Sequence, residues 1–264
     1  MADTAVPVGN RVWRGKALDS MRDVPEETPV ALVYDGTSEA VMMATPDDLE
    51  DFVAGFALTE GIVASAADIR RIEIVPQLNG IEARAWLTPG LGLERATRRR
   101  TRTGPTGCGL CGVESLDDAV RAVPRVTADL SLTPADIMMA INQLEAAQPL
   151  SVRTRAVHAA GFWTPDRGLV AAREDVGRHN ALDKLAGALA RQDVEGALGA
   201  VVLTSRVSVE MVEKAAMLGA SVLIAISAPT ALALRTAEAA GVTVVAVVRA
   251  NGFEVFTHAQ RIVF

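Results

Sequence analysis

Cysteine is nearly absent from this chain: two occur in 264 residues, alongside three histidines, three tryptophans and one tyrosine. So few cysteines make poor material for a secreted disulfide framework. Aromatics are 4% of residues although half of all residues are apolar, so the core must be built from Ala, Val, Leu and Ile. No apolar stretch approaches the roughly 20 residues of a membrane-spanning helix. A signal-peptide pattern is lacking too, because Asp3 comes early and Arg11, Arg14 and Lys16 break the stretch that follows. These absences predict a cytoplasmic protein with no membrane contact. Positive charge is also in deficit, and a formal net charge of −6 argues against a nucleic-acid binder held by phosphate contacts.

The two cysteines sit three apart in Thr106-Gly107-Cys108-Gly109-Leu110-Cys111-Gly112. Glycines before, between and after them keep the backbone open, whereas a core cysteine would lie inside an apolar run. Accessible sulfur points to redox chemistry, metal binding or carriage of sulfur. A tetrahedral zinc site needs four ligands at close spacing, and His158, His179 and His258 are far off in sequence; only a dimer would complete a four-cysteine site. A thioredoxin-like motif follows a strand and opens a helix. A helix over Leu116 to Ala122 is plausible, with Ser115 and Asp118 spaced as a capping box. Upstream, however, five arginines lie between Arg95 and Arg102. This basic arm reads either as a solvated loop or as a cationic neighbour that favours the thiolate and attracts an acidic partner.

Residues 1 to about 28 show no steady periodicity and read as a loose lead-in. Pro29 to Tyr34 and Glu39 to Ala44 read as a hairpin through Asp35-Gly36. Thr45-Pro46-Asp47-Asp48 reads as a helix start, with Thr45 as N-cap and Phe52, Val53, Phe56 and Ala57 at helical spacing before Gly61. Ile69 to Val75 and Ile81 to Leu87 form a second hairpin. Residues 88–112 read as a long exposed connection, and Thr133-Pro134-Ala135-Asp136 opens another helix.

The last 90 or so residues predict alternating helices and strands, with strands at Ala200 to Thr204, Ser221 to Ile226 and Thr243 to Val248. Strands this uniformly apolar are buried on both faces, which implies a parallel sheet between helices. Ligands in such sheets bind beyond the carboxyl ends of the strands. Those ends carry Thr204 to Ser208, Ser227 to Thr230 and Arg249 to Gly252: an anion or nucleotide site, unless Ser208 and Thr230 only cap their helices. Glu174-Asp175-Val176-Gly177-Arg178-His179-Asn180, the densest polar cluster, reads as acid–base groups or as an internal ion-pair network.

The motifs Gly107 to Gly112, Val157-His158-Ala159-Ala160, Arg173 to Lys184, Ser208 to Val212 and Ser227-Ala228-Pro229-Thr230 resemble those of the FdhD family, the formate dehydrogenase accessory proteins. The resemblance runs from about residue 30 to the C-terminus. It implies an α/β fold: a three-layer α/β/α sandwich similar to the cytidine deaminases over residues 106–264, with a smaller N-terminal α+β domain over 1–105. It implies a sulfurtransferase acting through a cysteine persulfide. Sulfur would come from a cysteine desulfurase and pass to molybdenum bound by two molybdopterin guanine dinucleotides, for formate dehydrogenase. By motif position Cys108 matches the persulfide-forming cysteine and Cys111 its neighbour. The cofactor-contacting segment falls on Val247, Val248, Arg249, Ala250, Asn251 and Gly252. No resident metal is implied, and the family resemblance implies a homodimer. The alternative is a molybdenum cofactor-binding chaperone that transfers no sulfur. A zinc-dependent deaminase fits poorly, because His158 is followed by Ala159-Ala160 where such enzymes need a glutamate.

Overall fold

The computed structural model describes residues 3–90 and 123–264; the cysteine loop, the arginine arm, the helix expected over Leu116 to Ala122 and the 105/106 domain boundary lie outside them. The chain opens not with a loose lead-in but with a long hairpin, β1 (Ala5–Trp13) and β2 (Ala17–Pro25), paired antiparallel along its length. Most of its residues are exposed on both faces. A strand without a buried face need not alternate apolar with polar residues, so periodicity missed it.

Next come β3 (Thr28–Tyr34), β4 (Thr37–Ala44), α1 (Leu49–Thr59), β5 (Ile69–Gln77) and β6 (Gly80–Leu87). The four strands form one sheet in the order β4-β3-β6-β5, with β3 and β6 parallel at its centre. Helix α1 lays Phe52, Val53 and Ala57 against Leu32, Ala83 and Ala85. The single tyrosine, Tyr34, is fully buried there and donates its hydroxyl to the Val53 carbonyl at 2.7 Å. The helix start differs from expectation. Its N-cap is Asp48, in the left-handed region at φ 51°. Thr45 is instead used across the molecule: its N–H donates to Asp175 and its hydroxyl accepts from the Val176 N–H.

The remaining elements are α2 (Pro134–Ala146), α3 (Pro149–Thr154), β7 (His158–Thr164), β8 (Gly168–Asp175), α4 (Arg178–Arg191), β9 (Ala200–Leu203), α5 (Val209–Met217), β10 (Val222–Ala225), α6 (Ala231–Ala240), β11 (Thr243–Arg249) and β12 (Gly252–Val255). Thr133 caps α2 as expected, with Pro134 in the first turn and Asp136 closing a reciprocal capping box. Six strands form one sheet in the order β12-β11-β10-β9-β7-β8. Only β9, β10 and β11 pair parallel; β12 and β7 flank them antiparallel, and β8 pairs antiparallel with β7 at the edge. The parallel sheet expected from the apolar runs is therefore the centre of a mixed one. Its burial on both faces is visible residue by residue. Ala200, Val202, Val222, Ile224 and Val245 join the core under α2, while Val201, Leu203, Leu223, Ala225 and Val244 join the core under α4, α5 and α6.

The two sheets are tied together by α1 against α4. A Cβ on Gly55 would overlap the Asp183 carbonyl oxygen, and one on Gly187 would overlap that of Asp51, so the helix backbones meet with no side chain between them. Charges surround the crossing. Arg173 and Arg191 both bond the buried Asp51. Lys184, fully buried, donates to the Thr45 carbonyl at 2.9 Å and pairs with Asp175 at 2.7 Å. Lys214 reaches Asp183 and Glu60 at 2.8 Å each, and Asp183 also accepts the Thr59 hydroxyl at 2.5 Å. Burial works against the Lys214 charge, but Asp183 and Glu60 outweigh it and hold its pKa above the ordinary lysine value.

Candidate functional site

Because β9, β10 and β11 are parallel, their carboxyl ends open on one edge of the sheet. Strand β7 runs the other way, pairing Ala160 with Leu203, so its first residue, His158, comes to the same edge. There β8 also ends, and α4 begins with Arg178 and His179. The topology thus gathers residues from four separate motifs: His158, Arg178-His179, Ser208 with Glu210, and the turn after β11.

The hydroxyls at this edge separate into two kinds. Thr230 is a plain cap, accepting the Ala233 N–H at 3.3 Å. Thr204 holds β7 to β9 by accepting the Ala159 N–H at 2.9 Å. Ser208 is the N-cap residue of α5, yet its hydroxyl makes no cap bond. It is buried without a hydrogen-bond partner among the described residues, as are Arg178 Nε, His179 Nε2 and Glu210 Oε2. Buried polar atoms left unpaired cost stability, so a group of them in a crevice points to a ligand or to chemistry. Donors come from Arg178, an acceptor from Glu210, and either role from Ser208 and His179.

The electrostatics agree with that reading. His179 Nε2 lies 3.9 Å from Glu210 Oε2, the separation of a loose ion pair and too long for a hydrogen bond. The His179 ring and the Ser208 hydroxyl lie close to the Glu210 carboxyl without reaching hydrogen-bond geometry, and His179 first, then Ser208, hold it down at about 2 against partial burial. His158 is pushed the other way. Burial lowers its pKa, and Arg178 adds to the effect, so a neutral imidazole faces the crevice at neutral pH.

The expected cofactor segment, Val247 to Gly252, lies on this edge, and its backbone is distorted. The β11–β12 register shifts between Ala246 and Arg249, and Val247 sits at φ 55°. A β-branched residue in the left-handed region is a true outlier, costing about 1–2 kcal/mol. The surroundings hold it there: Val247 donates its N–H to the Ser227 carbonyl, and the Arg249 guanidinium bonds the Ile226 and Val248 carbonyls. Ala250, Asn251 and Gly252 are exposed beyond it, forming the turn into β12. Strain kept in this way clusters at functional sites.

Sequence reasoning placed the strand ends correctly and kept Arg178 and His179 open as acid–base groups or an internal network, but gave His158 and Glu210 no role in the site, although both lie in motifs it singled out. The signal was present, since each motif follows or begins a strand at one edge. What was missing was the antiparallel insertion of β7–β8 beside β9. Conversely, Asn180, Asp183 and Lys184 belong to the internal network: Asn180 Nδ2 donates to the Met43 carbonyl and to Asp175. Cys108 and Cys111 lie outside the described residues. Among the described residues, no group of His, Cys, Asp and Glu is placed to hold a metal ion, and no helix is long and apolar enough to cross a membrane.

Comparison with known proteins agrees with the motifs. The family model for the FdhD/NarQ family matches residues 25–263. A protein of Agrobacterium fabrum named sulfur carrier protein FdhD is 53% identical over 250 residues, covering 94% of this chain and 92% of that protein. Its namesake from Brucella abortus is 52% identical over 246 residues, with 93% and 91% covered. A solved structure from Desulfotalea psychrophila, described as a formate dehydrogenase accessory protein, matches with a TM-score of 0.77 at 28% identity, over 99% of this chain and 100% of that one. With a family model that matches residues 25–263 and relatives matched over nearly their whole length, the chain belongs to the FdhD/NarQ family.

Proposed function

We propose that this protein carries sulfur on Cys108 from a cysteine desulfurase to the molybdenum bis(molybdopterin guanine dinucleotide) that formate dehydrogenase uses. Membership of a family whose relatives are named sulfur carriers supports the reading most directly. In the loading step the Cys108 thiolate attacks the terminal sulfur of the donor's persulfide; a new S–S bond forms and the donor's thiolate leaves. The glycines around the motif suit a thiolate that must be reached by one protein and then meet a second. The cofactor, as substrate, is assigned to the strand-end crevice. Arg249, Asn251 and the exposed turn suit its phosphates, and the unpaired donors and acceptor of Arg178, His179, Ser208 and Glu210 suit a polar ring or phosphate edge.

Intact-mass measurement after incubation with a desulfurase and cysteine tests the carrier. Wild type gains one sulfur atom, removable by a thiol reductant, and Cys108→Ala does not. Normal loading of Cys108→Ala would overturn the assignment. Cofactor binding by a wild type that never loads sulfur would favour the chaperone instead. For the crevice, Arg249→Ala weakens binding of a guanine nucleotide while the melting temperature holds; unchanged affinity removes Arg249 from the site.

A further inference from the structure

The hairpin β1–β2 stands apart from both larger sheets and leans on α3. Arg22 donates to the Thr154 carbonyl at 3.0 Å, closing the C-terminus of that helix, and Arg153 bonds Asp23 at 3.1–3.2 Å. Between hairpin and helix lies an open cleft of about 550 Å³, lined by Arg14, Met21, Arg22, Asp23, Arg153 and Arg155. Four arginines thus face one carboxylate, and that carboxylate is taken by Arg153. The guanidinium groups of Arg14 and Arg155 have no hydrogen bond or ion pair with any described residue, and Arg155 is held at the helix end with φ 54°. On a chain of net charge −6, this is a concentrated patch of the opposite sign.

Apolar side chains stand beside it. Trp13 is 76% exposed and Met21 is 64% exposed. In the hairpin register both fall on the same face, Trp13 opposite Ala17 and Met21 opposite Gly9, with the Met21 sulfur lying over that glycine. Tryptophan, methionine and arginine together make the composition of a protein interface centre, not of a site for a small anion. A two-stranded hairpin is also marginal by itself in water, and gains from a surface laid against it.

We propose that this hairpin and its arginine cleft form a docking surface for a partner protein, one that offers an acidic segment with an apolar side chain among its carboxylates. The carboxylates enter the cleft against Arg14 and Arg155, and the apolar side chain packs on Trp13 and Met21. The charge pattern excludes a basic partner, and the exposed tryptophan supplies the anchor that charge alone lacks. This docking surface does not rest on the sulfur and cofactor assignments and stands whether or not they hold.

The test uses the full chain and a labelled synthetic peptide of glutamate pairs alternating with single leucines, followed by fluorescence anisotropy. Arg14→Glu/Arg155→Glu reverses the two unpaired charges and leaves the bonds of Arg22 and Arg153 intact, so its melting curve should match wild type. Wild type should bind the peptide, and the double variant about tenfold or more weaker at low salt. Binding should fade between about 0.05 and 0.3 M salt, and Trp13→Ser should weaken it by a smaller factor. Equal binding by the double variant, or none by wild type, overturns the proposal. So does inorganic pyrophosphate competing as well as unlabelled peptide, which would make the cleft a small-anion site. A double variant that shifts from dimer to monomer in sedimentation would also overturn it, by assigning the face to a second copy of this chain.

Discussion

At the start of α4, Arg178 and His179 reach the strand-end crevice with polar atoms unpaired, while Asn180, Asp183 and Lys184, a few residues on, are buried and hydrogen-bonded inside the protein. One continuous polar run therefore serves two purposes, divided by the helix period. Positions 180, 183, 184, 187 and 191 recur at three- and four-residue spacing and turn toward the first sheet and its helix. The residues just before them point off the helix end. The density of charge in a motif says little about which residues do chemistry. Whether their hydrogen bonds are already spent says a good deal more.

The largest effect expected from breaking the buried side comes from Gly187→Ala. The new methyl overlaps the Asp51 carbonyl, and helix backbone cannot yield as a side-chain tip can. A loss of more than about 3 kcal/mol, read from urea unfolding, is expected. A loss below about 1 kcal/mol would mean that the helices are not held as closely as described. Next is Asp183→Ala, which leaves the Lys214 ammonium buried with Glu60 as its one remaining carboxylate. About 3 kcal/mol should go, with guanine-nucleotide affinity retained by the folded fraction.

The crevice side should behave otherwise. Glu210→Gln is expected to change stability at neutral pH less than Asp183→Ala does, and to reduce ligand affinity. Its pH dependence has a definite sign. The folded carboxyl sits at about 2 against an ordinary 4.5, so its stabilisation is complete above 4.5 and lost as the pH falls toward 2. The stability gap between wild type and Glu210→Gln should close across that window in acid titrations of unfolding. A gap that stays constant would show that the His179–Glu210 contact contributes nothing. The smallest change is expected for Val247→Gly. Relief of the left-handed strain offsets the added chain entropy and part of the packing lost with its half-buried side chain, giving a net loss within about 1 kcal/mol.

Much of the fold was legible because it follows local rules: the Thr133 capping box, the helix end at Gly61, the hairpin of β3 and β4, and the twice-buried strands Ala200–Leu203 and Val222–Ala225. Legibility failed where a residue's partner is distant. Thr45 looks like a helix cap, but its partners are Asp175 and Val176, more than a hundred residues later. The β1–β2 hairpin escaped notice because its pairing needs no apolar alternation. In the site, Arg249 and the turn after β11 could be found from strand order alone. His158 could not, since its place depends on β7 running antiparallel beside β9.

The crossing of α1 over α4 also has a meaning for synthesis. Glu60 emerges from the ribosome long before Asp183 and Lys214, yet the three form one buried cluster. Until residues 173–191 have been made, Asp51 has no charge partner and the backbone contact at Gly55 is unmet, and Glu60 waits further for Lys214. The first sheet must therefore wait, incompletely sealed, through most of translation, and the final closure is a long-range event of the kind that folds slowly and benefits from chaperones. A nascent chain halted before α4 should remain open to protease at α1, and one released beyond α5 should not.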